Sequence, residues 1–342
     1  MTVLGILWFI LIAVLIAGYF ILDGFDLGSG VLSPFVAKDE KEKAIVRRSI
    51  GPVWDGNEVW LLTAGGALFA AFAPAYATTF SGFYLAIMLV LFGLIVRAVS
   101  LEYRAHDPKW KKLWDALFFI GSLLPALLFG VAIGNVYAGI PMDANGDYNG
   151  IPLLGLITPF TLLCGLLGLS FFLMQGATWL AMKAPKPSAF QARLASLRRP
   201  LTLVSLVLFA AVTAYALVGI QPTMDPALEI IRWLVFILVA AALIGTIVTS
   251  KAEGNDLLPF IFSSAAALFL VVLFAASMFP NLVVASATSG ESITIANAAS
   301  SDLALGWMTG ITCVGLPLVL IYHVIIYRTF RGRITDEDLS EY

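Results

Sequence analysis

The sequence predicts an all-α integral membrane protein with nine transmembrane helices. Three observations carry this: high apolarity, the spacing of long apolar runs, and basic residues confined to alternate gaps between them. Hydrophobic residues make up 60% of the 342 and charged residues 12%, with a mean hydropathy of +0.94. That balance leaves too little polar surface for a water-soluble fold of this size. A spanning helix needs roughly 20 mostly apolar residues. Nine runs qualify, near 3–22, 52–73, 77–98, 114–138, 154–181, 201–220, 230–249, 258–280 and 304–327.

The first run, Val3 to Leu22, has no basic residue ahead of it and no small-residue cleavage site after it, so it reads as a retained helix rather than a signal peptide. Basic residues follow in the gap after it (Lys38, Lys41, Lys43, Arg47, Arg48). They recur after the third run (Arg104, Lys109, Lys111, Lys112) and after the fifth (Lys183, Lys186, Arg193, Arg198, Arg199). Lys251 lies after the seventh run, and Arg328, Arg331 and Arg333 end the chain, whereas the intervening gaps carry Asp143, Asp147, Asp225, Glu229, Glu291 and Asp302. By the positive-inside rule the N-terminus is outside and the C-terminus cytoplasmic. Of the 20 Lys and Arg residues only Arg97 and Arg232 depart from this pattern. Topology accounts for the basic residues, which face anionic lipid, so nucleic acid is not expected as a partner.

The gaps are short, and residues 1–342 read as one transmembrane domain with no soluble module. Short connections make sequential helices antiparallel neighbours, which predicts two four-helix bundles, helices 1–4 and 5–8, plus one peripheral ninth helix. Trp8, Trp54, Trp110, Trp114, Trp179, Trp233 and Trp307 fall near run ends, as an interfacial belt requires. Trp60 lies deeper, where it suits a packed subunit contact or the wall of a buried pathway. Cys164 and Cys313 sit inside runs and read as small packing residues rather than a disulfide.

Ionisable groups inside runs are the exceptions that point to function, because a charge at the bilayer centre costs about 2.5–3.5 kcal/mol or more. Asp23 and Asp26 close the first run, and Asp55 and Glu58 open the second. Each pair has i, i+3 spacing, which puts both carboxylates on one face of a continuous helix. Arg97 reaches the same depth on the third run and is the natural counter-ion. A set of this kind suits proton uptake from the cytoplasm; it equally suits ion pairs that tie helices together. Gly24, Gly28 and Gly30 permit either a turn or a close helix approach, as do Gly65 and Gly66.

No phosphate-cradling G-x-x-x-x-G-K-[ST] loop is present, so ATP hydrolysis is not expected. Only His106 and His323 exist, which argues against a bis-histidine haem or another metal centre held by this chain alone.

The stretches Asp23-Gly24-Phe25-Asp26-Leu27-Gly28, Trp54-Asp55-Gly56-Asn57-Glu58-Val59-Trp60-Leu61 and Thr63-Ala64-Gly65-Gly66-Ala67-Leu68-Phe69-Ala70-Ala71 resemble subunit II of cytochrome bd quinol oxidases. So do Phe80-Ser81-Gly82-Phe83-Tyr84, Arg97, Gln175-Gly176-Ala177-Thr178, Met278-Phe279-Pro280 and Asn297-Ala298-Ala299-Ser300-Ser301. The resemblance covers nearly the whole chain and is weakest around 139–153 and 183–200. A departure at Ala73-Pro74-Ala75-Tyr76, where relatives place Pro directly after the Phe, implies a shifted helix end.

The resemblance implies a terminal oxidase of the aerobic respiratory chain in the bacterial inner membrane. It would oxidise quinol and reduce dioxygen to water, with cytoplasmic proton uptake and no pumping. Haem b and haem d are then expected in the partner subunit I, which this chain stabilises without being catalytic alone. Small single-span accessory subunits, membrane lipid and a structural quinone are further expected partners, with no position for the quinone. Carried over by position, Asp55 is the leading proton-path carboxylate, Glu58, Asp23 and Asp26 follow, and Arg97 is their charge partner. Trp54, Asn57 and Trp60 are expected at the subunit interface or along a route for dioxygen. The competing reading is a proton-coupled secondary transporter, since paired acids, an intramembrane Arg and glycine-interrupted helices are also transporter features.

Overall fold

A computed structural model describes residues 1–220, 226–250, 255–286 and 290–340. Asp225 and Lys251, two of the charge markers, lie outside the described residues. The chain runs through α1 (Val3–Leu22), α2 (Gly24–Val36), α3 (Glu40–Ile50), α4 (Trp54–Ala71), α5 (Ala73–Gly82), α6 (Tyr84–Tyr103) and α7 (Lys111–Ala138). It continues with α8 (Pro159–Lys183), α9 (Ala189–Gly219), α10 (Glu229–Thr249) and α11 (Leu257–Met278). A short hairpin, β1 (Asn281–Val283) and β2 (Ile293–Thr294), precedes α12 (Ile295–Ala298), α13 (Asp302–Thr329) and α14 (Asp336–Ser340). Side-chain caps set several starts: Thr2 accepts from the Gly5 N–H, Asp39 from Glu42, Ser188 from Gln191 and Ser301 from Ala304.

The sequence places the end of the first helix at Leu22, but the helix barely pauses there. The Asp23 N–H donates to Tyr19 O (2.8 Å) and the Leu27 N–H to Asp23 O (2.9 Å), so α1 and α2 form one apolar stretch of 34 residues. The run near 77–98 is split by a break at Phe83 into α5 and α6, and α9 begins a dozen residues ahead of its apolar part. Hydropathy registers only the apolar portion of a helix, and Arg193, Arg198 and Arg199 hid this extension. Eight helices are long and apolar enough to cross a membrane. The one run not among them is the second, near 52–73; it corresponds to α4, whose 18 residues carry Asp55, Asn57 and Glu58 near their start.

Close backbone approach organises the packing, as expected where lipid removes the usual hydrophobic drive between helices. At the α2–α8 crossing a Cβ on Gly28 would lie 1.8 Å from Phe172 O, and one on Gly176 would lie 2.5 Å from Gly28 C. These glycines therefore serve a helix crossing and not a turn. Where α6 meets α7, a Cβ on Gly121 would lie 2.6 Å from Gly93 O. Helices α8, α9, α10 and α11 pack as neighbours, with α7 and α2 covering the other side of α8. Helix α13 lies at the periphery against α1 and α4, with only Leu305 and His323 buried. Gly66, Gly306, Gly310 and Gly315 meet nothing within 4 Å in this chain, so the close approach expected at Gly66 has no partner here.

The basic segments converge on one end of the bundle. Arg104 pairs with Glu40 (2.9 Å) and Asp115 (2.6 Å), Arg193 with Glu42 (2.6 Å), and Lys41 with Asp336 (2.6 Å). At the opposite end the Ile140 N–H donates to Val284 O (3.0 Å), and the Ser300 N–H donates to Ala71 O (2.9 Å). Helix α4 runs between the two ends, meeting Tyr322 and Tyr327 of α13 at its start and Ser300 at its finish.

Candidate functional site

Where α1 passes into α2, Asp23 and Asp26 are wholly buried, as is Arg97 of α6. The Arg97 Nη2 donates to Asp23 Oδ1 (2.7 Å) and to Glu58 Oε1 (2.5 Å), so one guanidinium ties three helices. Asn57, also buried, organises the second carboxylate. Its Nδ2 donates to Asp26 Oδ2 (2.7 Å) and Leu22 O (3.0 Å), while its Oδ1 accepts from the Tyr327 hydroxyl (2.9 Å). Two carboxylates thus share one cation, with a third held beside them by Asn57. Fully ionised, the set would carry more negative than positive charge around a wholly buried arginine.

The surrounding polar atoms extend the cluster. Asp23 Oδ2, Asp26 Oδ1, the Arg97 Nε and Nη1, the Tyr19 hydroxyl, Ser29 Oγ and both amide atoms of Gln175 are buried without a protein partner. Buried polar groups are normally satisfied.

The structure reorders the expected residues. Asp55, ranked first from sequence, is exposed, and its carboxylate accepts from the Gly56 N–H (2.7 Å). Glu58 turns inward to Arg97 instead, so the i, i+3 spacing of this pair leaves one acid inside and one outside. Asn57 and Trp60, expected at a subunit interface, are buried within the chain. The Trp60 Nε1 donates to His323 Nε2 (3.0 Å), and the ring fills the space beside Gly18, where a Cβ would lie 2.2 Å from it. Trp54 is half-buried against the core around Phe25 and Trp179. Depth along a helix does not say whether a neighbour belongs to the same chain.

Tyr19, Ser29, Gln175 and Tyr327 are the cluster residues that sequence reasoning passed over. Ser29 carried a usable signal, since Asp23, Asp26 and Ser29 recur every three residues on one face. Tyr327 carried none, because its contact is made across 270 residues of sequence.

Haem ligation does not fit the histidines of this chain. Both ring nitrogens of His323 are engaged, Nε2 by the Trp60 N–H and Nδ1 with Val319 O (2.8 Å). His106 is exposed, with Nδ1 against Glu102 O (3.1 Å). Among the described residues no group of three or more His, Cys, Asp or Glu could hold a metal ion. Cys164 and Cys313 are free thiols, one buried and one exposed. Apart from the cluster, an apolar cavity of about 340 Å³ opens between α1, α7, α8, α9, α10 and α11. Phe20, Phe129, Phe171 and Phe209 line it, with Glu229 and Arg232 also on its wall.

Comparison with known proteins is consistent from end to end. Residues 4–330 match the family described as cytochrome bd terminal oxidase subunit II. The chain is 36% identical to cytochrome bd-I ubiquinol oxidase subunit 2 of Escherichia coli K12, over 99% of this chain and 97% of that protein. It is 34% identical to cytochrome bd ubiquinol oxidase subunit 2 of Bacillus subtilis, over 98% of each chain. The bd oxidase structure from Geobacillus thermodenitrificans superposes with a TM-score of 0.78 at 16% identity, covering 96% of this chain and 99% of that one, which is a likeness of fold. A multi-pass helical membrane architecture and near-complete similarity to these subunits lead to one conclusion: the chain belongs to the cytochrome bd terminal oxidase subunit II family and is a subunit of a quinol oxidase.

Proposed function

We propose that, in complex with subunit I, this chain carries protons from the cytoplasm toward the site of dioxygen reduction through the cluster of Asp23, Asp26, Glu58 and Arg97. The single observation that carries the reading is a fully buried arginine shared between two carboxylates, with a third held beside them by Asn57. Quinol oxidation and reduction of dioxygen to water consume cytoplasmic protons without pumping, and charge separation follows from the side on which protons are taken up and released. Haem b and haem d reside in subunit I, and this chain stabilises that subunit. Asp55, exposed at the start of α4, faces outward and serves as an outer proton acceptor at most.

The bundle crosses the bacterial inner membrane nine times, with α4 as the second crossing, the N-terminus outside and the C-terminus in the cytoplasm. Convergence of the basic segments on one end supports this orientation, and the contacts of α4 at both ends support the crossing. The apolar cavity suits a structural quinone or lipid chain, with Arg232 and Glu229 near a polar headgroup. None of the cluster carboxylates lines that cavity, which favours the oxidase-subunit reading over a transporter with a polar central substrate site. Small single-span accessory subunits would dock on helix faces exposed to lipid.

The testing experiment is purification of the tagged chain followed by a reduced-minus-oxidised optical spectrum and oxygen consumption. Co-purifying haem b and haem d bands, with Asp26→Asn slowing turnover at full haem content, is the expected result. A colourless, partner-free chain, or an Asp26→Asn complex as fast as wild type, contradicts the proposal.

A further inference from the structure

The segment after α13 is held against the cytoplasmic end by contacts that the proton path does not require. The Ile334 N–H donates to Lys183 O (2.8 Å), and the Ile334 side chain enters the core that contains Phe25 and Trp179. Arg333 donates to the carbonyls of Ala181 (3.2 Å) and Ala184 (2.6 Å) and pairs with Asp256, while the Lys183 ammonium donates to Phe330 O. Asp336 pairs with Lys41 and Asp338 approaches Arg48 (3.8 Å). Yet α13 itself, from which this tail hangs, buries almost nothing along its length.

Tyr327 sits between the two. Its hydroxyl makes the bond to Asn57 described above, and its ring packs near Trp179 (6.1 Å between centroids) and His323 (6.3 Å). It also forms a wall of a polar cavity of about 90 Å³ that the tail roofs, together with Arg48, Ser49 and Lys183. With Nδ2 donating to Asp26 Oδ2 and Leu22 O, the Tyr327 hydroxyl donates to the remaining Oδ1 and steadies the amide with Nδ2 aimed at Asp26. An amide flipped the other way would present an oxygen to that carboxylate.

We propose that Tyr327 is a positioning residue for Asp26, acting through the Asn57 amide, and that the tail from Phe330 to Leu339 is the strap that holds Tyr327 in register. The inference rests on the proton-path reading and goes beyond it by assigning a second layer that sets the geometry of the carboxylate. A relay depends on donor and acceptor staying within hydrogen-bond reach, so loosening the amide slows proton delivery while leaving quinol binding alone.

The test uses the whole purified complex. Tyr327→Phe removes one hydroxyl, and Tyr322→Phe, whose hydroxyl lies beside Gly56 and outside the cluster, is the control. Expected for Tyr327→Phe is a fall in kcat of about fivefold, the rate equivalent of one hydrogen bond, with KM for quinol and the haem spectrum unchanged. Combined Arg333→Ala and Ile334→Ala, which leaves every cluster residue in place, is expected to lower kcat in the same way and carries the test if Tyr327→Phe does not assemble. Wild-type kcat in both variants overturns the proposal. Asp26→Asn measured alongside separates the two layers: if it slows turnover while the tail variants do not, the proton path stands and the strap falls. If Asp26→Asn is also silent, the proton path itself has failed.

Discussion

Replacing Arg97 with Leu removes the cation that joins α1, α4 and α6. Arg97 is wholly buried, and its two bonds, 2.7 Å to Asp23 and 2.5 Å to Glu58, are the only cation contacts of those carboxylates among the described residues. Removing one partner of a buried ion pair costs about 3–5 kcal/mol, because the charge left behind is desolvated and unpaired. Glu58 retains 22% side-chain exposure and can turn toward water, so the loss centres on Asp23, whose second oxygen already lacks a partner. The net cost is then about 3–4 kcal/mol. At about 2 °C per kcal/mol, that lowers the melting temperature of the purified complex by roughly 6–8 °C. Asp23→Asn combined with Arg97→Leu is expected to recover part of the loss, since neither partner is then left charged and alone. An Arg97→Leu complex that melts with wild type, or a double variant no better than the single one, refutes the reasoning.

Three further outcomes follow from the geometry. Gly28→Ala places a methyl 1.8 Å from Phe172 O and forces α2 away from α8; overpacking of this kind costs about 1–3 kcal/mol, read as a lower yield of folded complex. Trp60→Phe keeps an aromatic side chain but removes the indole N–H and part of the buried volume, so His323 Nε2 loses its donor and melting temperature falls by the equivalent of about 1–2 kcal/mol or more, while oxygen affinity is unchanged; altered oxygen affinity would favour a dioxygen route past this residue. Burial raises the Asp256 carboxyl, but hydrogen bonds from Arg198 and Arg333 outweigh it and leave it below the usual carboxylate range. Its contribution is therefore present above the unfolded value of about 4 and lost as pH falls through the lower folded value. Amide exchange at Ile334 reads this directly: protection is kept near neutral pH, drops on strong acidification, and in Asp256→Asn is already weak at neutral pH.

The architecture was largely legible because spanning helices declare themselves by length and apolarity, and basic loops by charge. Legibility failed where one helix joined another. The break at Asp23 involves a single residue, and no local pattern distinguishes a helix that stops at a glycine from one that uses it to cross a neighbour, as Gly28 does against Gly176. The cluster was half legible. Acids and an arginine inside apolar runs are conspicuous, so Asp23, Asp26, Glu58 and Arg97 were found. Which of two acids in an i, i+3 pair faces inward depends on rotation about the helix axis, and that rotation is set by partners elsewhere in the chain. The sequence placed Asp55 ahead of Glu58 on a proton path without deciding which is buried; the structure exposes Asp55 and turns Glu58 to Arg97. Tyr327 and the tail were invisible for the same reason: their contacts are made with helices remote in sequence.

Proton uptake by the reduced complex on mixing with dioxygen, followed with a pH-sensitive dye, tests the central claim most directly. With haem content matched, Asp26→Asn and Asp23→Asn should slow uptake and turnover together, while Asp55→Asn has the smaller effect. Uptake at the wild-type rate in both buried-carboxylate variants would place the proton path elsewhere and leave the cluster as a structural tie between helices.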